Sequence, residues 1–192
     1  MTARPNYNDA QNPWPSWFLA VKDAYVDTAI GDLYAQLDHA VQNHHPTCQS
    51  SGRCCKFDHY GHRLYVTGLE IAWVLSKITT HAPTQDQPAA LLPQFTVTNA
   101  DGCPYQIDKL CSIHTVRPMG CRIFFCQEQV IAWQNQLYEK FLSKLRTLHD
   151  TQRLEYQYME WRAGLRAAQI ARIIQVKHEV AKSTKNTKGG TM

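Results

Sequence analysis

The sequence predicts a mainly α fold in which amphipathic helices pack around an irregular cysteine-rich segment. Three observations carry this. Apolar residues recur at steps of three and four near both ends of the chain, the spacing that puts them on one helix face. All seven cysteines fall in two short clusters, Cys48 to Cys55 and Cys103 to Cys126. Between Gln127 and Lys182 there is no proline and one glycine, so a long helix or a helical hairpin is expected there.

Length and composition bound the rest. A chain of 192 residues can bury a core without disulfide staples. An apolar fraction of 44% and a charged fraction of 19% belong to an ordinary globular protein. Twenty basic against sixteen acidic side chains leave a net charge of +4, too mild to imply nucleic acid. The opening residues lack the apolar run of a secretory signal, and no stretch reaches the roughly 18 apolar residues of a membrane span. A cytoplasmic placement, with no membrane partner, follows as the expectation. Disulfides are uncommon there, and an odd number of cysteines cannot pair fully.

In chain order, residues 1–15 are rich in Pro, Asn and Asp and read as an irregular lead-in. Residues 16–182 read as a single cysteine-cluster domain, with a metal-binding segment at 48–126 and a helical region at 127–182. Ser16 is the expected N-cap of one helix running to about His44, with Val21, Tyr25, Ala29, Leu33, Leu37 and Val41 as its apolar stripe. From Cys48 to His62 two glycines and many polar residues predict loop with short turns. Arg63 to Val66 suits a short strand. Thr67-Gly68-Leu69-Glu70 has the capping-box pattern, and Ile71, Val74, Leu75 and Ile78 place a helix over about 68–80. Thr79 to Gln94, with three prolines, should be a surface connection, followed by a short strand from Phe95 and a turn at Asp101-Gly102 that presents Cys103. In the last region Val130, Trp133, Leu137, Phe141, Leu145, Leu148, Leu154, Tyr158, Trp161, Leu165 and Ala168 keep helical steps, with a break expected near His149 and Asp150. Residues 183–192 have almost no apolar content and should be disordered.

The cysteines ask for a chemical reason, because thiols used as small core hydrophobes would be scattered. No C-x-x-C occurs; only Cys111-x2-His114 and Cys121-x4-Cys126 have the ligand spacing of a zinc half-site. Seven thiolates and the His114 imidazole would fill two tetrahedral zinc sites. Equally, four thiolates would hold one iron-sulfur cluster and leave the others structural, redox-active or bound to a second centre. Either arrangement gathers negative charge, which Arg53, Lys56, Arg117 and Arg122, all close to cysteines in sequence, can offset. His44, His45, His59 and His62 could form an accessory site, but solvated loop residues are the favoured reading. The Trp and Tyr residues after Cys126 read as core or partner surface.

Read together, Cys48-x5-Cys54-Cys55 and the later run Cys103-Pro104-x6-Cys111-x2-His114-x2-Arg117-Pro118-x2-Cys121-Arg122-x3-Cys126 resemble the YkgJ-type cysteine-cluster proteins. That family is described as a zinc- or iron-chelating domain and is similar in its cysteine block to flagellin lysine N-methylases. The resemblance covers Cys48 to Cys126. It implies metal ligation by Cys48, Cys54, Cys55, Cys103, Cys111, Cys121 and Cys126, with support from Arg117, Pro118 and Arg122. Two positions depart from the pattern: Ser51 stands where an eighth cysteine is common, and His114 where an aromatic residue is, so His114 is a candidate replacement ligand.

The expected function is therefore metal binding, with zinc or iron as cofactor and an iron-sulfur cluster among the forms iron takes. The alternative is an iron-sulfur, S-adenosylmethionine-dependent protein-modifying enzyme. The C-x3-C-x2-C loop of radical enzymes and glycine-rich nucleotide motifs are both absent, which favours the first reading. A protein partner is compatible with the sequence. A nucleic-acid adaptor built on Arg162, Arg166, Arg172, Lys177 and Lys182 is disfavoured, since helix ends commonly carry such cations.

Overall fold

The computed structural model describes residues 12–80, 102–126 and 130–187, with side chains described as far as Ile78 in the first stretch and Ile174 in the last. The fold is mainly α. Its elements in order are α1 (Trp14–Ala20), α2 (Ala24–Gln42), a 3-10 turn (Arg53–Cys55), α3 (Phe57–Tyr60), β1 (Tyr65–Thr67) and α4 (Gly68–Thr80). After the segment outside the description come β2 (Gln106–Ile107), β3 (Leu110–Cys111), a second 3-10 turn (His114–Val116), α5 (Met119–Ile123), α6 (Ile131–Thr151), β4 (Tyr158–Glu160) and α7 (Trp161–Thr187). The expected connection from Thr79 and the strand at Phe95 lie mostly or wholly outside the described residues.

The single helix expected from Ser16 to His44 is two helices, and the first starts at Trp14. Pro15 suits the first turn, where its missing N–H has no role. Asp23 ends the interruption by accepting from the backbone N–H groups of Tyr25 (2.8 Å) and Val26 (3.3 Å), an N-cap that starts α2. The expected stripe also shifts: Tyr25 is 64% exposed, and Val26, Ile30, Leu33, Tyr34, Leu37 and Val41 face the core. Steps of four alone drift about 40° per step around a helix of 3.6 residues per turn, so a straight buried stripe must mix threes with fours.

The capping box at Thr67 is present. Thr67 Oγ1 accepts from Glu70 N (3.2 Å), and Glu70 Oε2 accepts from Thr67 N (2.8 Å). Glu70 does more than the motif requires. Fully buried, it also accepts at Oε1 from Tyr34 Oη (2.9 Å) and from the backbone N–H of Met119 (3.0 Å), the first residue of α5. One carboxylate thus caps α4 and α5 and ties both to α2. Trp73 Nε1 donates to Asp27 (2.7 Å) and packs edge-on against Tyr34 (5.2 Å), adding to the α2–α4 seam. On the other face of α4, Gly68 lets the fully buried Trp17 ring sit on the backbone: a Cβ there would lie 2.1 Å from the indole.

The region after Cys126 is a hairpin, as one of the two expected forms had it, with the break at residues 152–157. Tyr158 corrects the reading of a continuous helical stripe. It belongs to β4, which pairs antiparallel with β1 as Tyr65↔Glu160, Val66↔Met159 and Thr67↔Tyr158. The Trp161 backbone N–H then donates to Leu64 O (2.8 Å). Arg162 grips Asp58 through both terminal nitrogens (2.8 and 3.0 Å), fastening α3 to the start of α7. Helix α7 continues to Thr187, five residues into the tail expected to be disordered; Lys is a good helix former, and adding residues to an existing helix is cheap.

Candidate metal-binding cavity

Three backbone-level contacts bring the two cysteine clusters together. Cys103 N–H donates to Cys55 O (2.7 Å), and Gln106 Nε2 donates to Gly52 O (2.8 Å). Gly102 lies so close that a Cβ on it would be 2.7 Å from Cys55 O. Gly52 adopts φ +71°, where a side chain would meet Gln106 Nε2 at 2.6 Å. Glycine is needed on both faces of this junction, once for close approach and once also for its left-handed backbone.

The segment carrying Cys103 and Cys111 is a β2–β3 hairpin with register Gln106↔Cys111 and Ile107↔Leu110. Its two loop residues, Asp108 and Lys109, both have positive φ (48° and 67°), as a two-residue hairpin of the favoured twist demands. Cys121 is set by α5, and hence by Glu70.

Between these elements lies a cavity of about 260 Å³. Cys54, Cys55, Cys103, Cys111 and Cys121 line it, with Arg117, His62, Tyr138, Tyr158 and Trp161 among its other walls. Five of the seven predicted ligands, drawn from both clusters, therefore share one chamber. Cys48 and Cys126 are exposed and do not line it. Cys126 stands near enough to Arg53 to favour the guanidinium charge, though Tyr60 favours it more. His114 is exposed, does not line the cavity, and contacts the Arg117 guanidinium.

The thiols act on one another's proton affinity. Cys55 interacts with Cys54, 4.0 Å away between sulfurs, and with Cys103. Contact with these two neighbours and burial raise the Cys55 pKa, whereas the proton that Cys55 shares lowers that of Cys54 and of Cys103. The buried Trp161 indole N–H, which has no hydrogen-bond partner among the described residues, adds to the lowering at Cys103 after the larger effect of Cys55. Burial pushes Cys111 up, and pushes Cys121 well up, with the charge of neighbouring thiolates adding to it. The Arg117 guanidinium pulls Cys54, Cys111 and Cys121 down. Of the four cations expected to offset thiolate charge, Arg117 is the one that lines the cavity. Arg122 is committed elsewhere: it is 5% exposed, pairs with Asp38 (2.5 Å), and donates to Thr115 O and Arg117 O.

Trp161 is core, as expected of the aromatic residues after Cys126, and with Tyr138 and Tyr158 it also forms cavity wall. His62, read from sequence as a loop residue, also lines the chamber, stacked on Phe124 (5.2 Å) with Nε2 3.2 Å from Cys54 O. His44 lies elsewhere, stacked on Trp133 (4.5 Å). The adjacency of His62 to the Cys54-Cys55 loop was the available signal; nothing local marked Trp161.

The donor set fits a thiophilic metal in chemistry. The 4.0 Å between Cys54 and Cys55 sulfurs is close to the roughly 3.8 Å separating two thiolates on a tetrahedral zinc with bonds near 2.3 Å. Yet among the described residues no three His, Cys, Asp or Glu side chains are grouped to hold one metal ion. The sulfurs surround a volume rather than a point. No helix among the described residues is long and apolar enough to cross a membrane. No family model matches the chain, and no curated protein or solved structure does either.

Proposed function

We propose that this protein binds a thiophilic metal centre through its cysteine cluster, and that the centre is iron, with an iron-sulfur cluster preferred to a single zinc ion. The observation that carries this reading is the five cysteine side chains from two distant segments around one cavity. Sulfurs spread about a chamber suit a polynuclear centre, whose metals need ligands further apart than one ion does. When bound, such a centre supplies a redox couple or a structural anchor. The resemblance to YkgJ-type proteins supports the same reading and would extend the ligand set to Cys48 and Cys126, which stand exposed outside the cavity. Arg117 offsets the thiolate charge, and Trp161 N–H stabilises the Cys103 thiolate.

The test is anaerobic purification with iron, zinc and acid-labile sulfide analysis and a visible spectrum. Iron with matching sulfide and a broad visible absorption are expected, and substitution of Cys55 or Cys103 by Ser should abolish them. Zinc alone would replace iron in this reading. A metal content unaffected by both substitutions would overturn it.

A further inference from the structure

We propose that the metal-free cavity carries a thiol relay, in which a low-molecular-weight disulfide such as oxidised glutathione converts Cys55 and Cys103 into a disulfide by way of Cys54. This names a regulation of the site and rests on the metal-binding reading for its purpose: the oxidised pair cannot ligate metal, so loading is confined to reducing conditions.

The argument is one of access and contact. Cys54 is exposed, whereas Cys55 and Cys103 are buried, so an outside oxidant reaches Cys54 first. Cys55 lies between the other two, 4.0 Å from Cys54 by sulfur and joined through its carbonyl to the backbone of Cys103. The Cys103 N–H to Cys55 O hydrogen bond of 2.7 Å holds the two backbones side by side, the close approach a disulfide needs. In the first exchange the Cys54 thiolate attacks oxidised glutathione, forming a mixed disulfide and releasing one glutathione thiolate. Cys55 then attacks the Cys54 sulfur and releases the second glutathione. A bridge between adjacent residues is strained, so the Cys103 thiolate attacks the Cys55 sulfur and returns Cys54 as a thiolate. In sum, one oxidised glutathione becomes two reduced ones, and two protein thiols become one disulfide, their two protons passing to the released glutathione thiolates.

The experiment treats metal-free, reduced, full-length protein with oxidised glutathione and maps disulfides by mass spectrometry at timed intervals. A Cys55–Cys103 bridge should dominate, and Cys54→Ser should slow its appearance about tenfold or more. In Cys55→Ser the relay stops at its first step, so glutathione should accumulate on Cys54. A dominant bridge to Cys48, Cys111, Cys121 or Cys126, an unchanged rate in Cys54→Ser, or no Cys54 adduct in Cys55→Ser would each overturn the relay. Metal uptake by the reduced protein is measured in parallel. Uptake without the Cys55–Cys103 bridge refutes the relay alone, and a bridge without uptake refutes the metal-binding reading alone.

Discussion

Replacing Glu70 by Gln should destabilise the protein far more than its near-identical shape suggests. All four hydrogen bonds to the Glu70 carboxylate come from donors: the Thr67 N–H and hydroxyl on one oxygen, and the Met119 N–H and Tyr34 hydroxyl on the other. Burial raises the Glu70 pKa, while these donors pull it back. An amide NH2 must occupy one side. The hydroxyl there can turn and accept from it, but the backbone N–H cannot, and is left facing another donor. One orphaned buried N–H costs about 1–3 kcal/mol, and the remaining bonds lose their charge assistance. A total of about 3 kcal/mol is expected, against a typical stability of about 5–15 kcal/mol. For a chain of this length that lowers Tm by about 6–12 °C. Urea unfolding followed by circular dichroism measures it, with Tyr34→Phe as a control that removes one donor and costs about 1 kcal/mol. A loss below about 1 kcal/mol for Glu70→Gln would refute the reasoning, because it would mean that Glu70 is a neutral acid with one hydroxyl already accepting.

Further outcomes follow from the same geometry. Gly102→Ala places a methyl group against Cys55 O and should weaken the Cys103–Cys55 backbone bond. A stability loss of about 2–3 kcal/mol is expected, with faster release of bound metal to a chelator; wild-type values for both would contradict the close junction. His114→Ala should leave metal stoichiometry unchanged, since the side chain faces Arg117 outside the cavity; loss of one metal equivalent on elemental analysis would show His114 to be a ligand. Asp58 is held below its ordinary value of 3.8 first by the Arg162 hydrogen bonds. Its contribution is therefore present above that value and lost as pH falls through the lower folded pKa. Thermal scans between pH 2 and 6 (about that range) should show Asp58→Asn less stable than wild type at the upper end, with the two converging in acid; a constant gap would exclude this origin.

The features legible in the sequence are those specified by neighbours. Thr67 and Glu70 are three residues apart, and their reciprocal bonds follow from that spacing alone. Clustering of the cysteines likewise pointed to a shared task, and five of them do share a chamber. What escaped is what distance in sequence decides. Tyr158 fits a helical stripe as well as a strand, and only β1, more than ninety residues earlier, settles it. Asp108-Lys109 lacks the glycine that signals a tight hairpin, so the left-handed turn is imposed by the elements it joins. Met119 shows no cap of its own, because its cap comes from Glu70. The interruption before α2 did have a local sign in Asp23, a strong N-cap residue, which the apolar spacing across it concealed.

Trp161 closes the chamber from beyond the last cysteine. A growing polypeptide delivers every cysteine before it delivers that wall. At roughly 5–20 residues per second, the ribosome holds the thiols exposed for some seconds with no indole to shield them. The chamber is thus complete only once translation has passed the hairpin, and a nascent chain stalled short of it would carry all seven thiols without that wall.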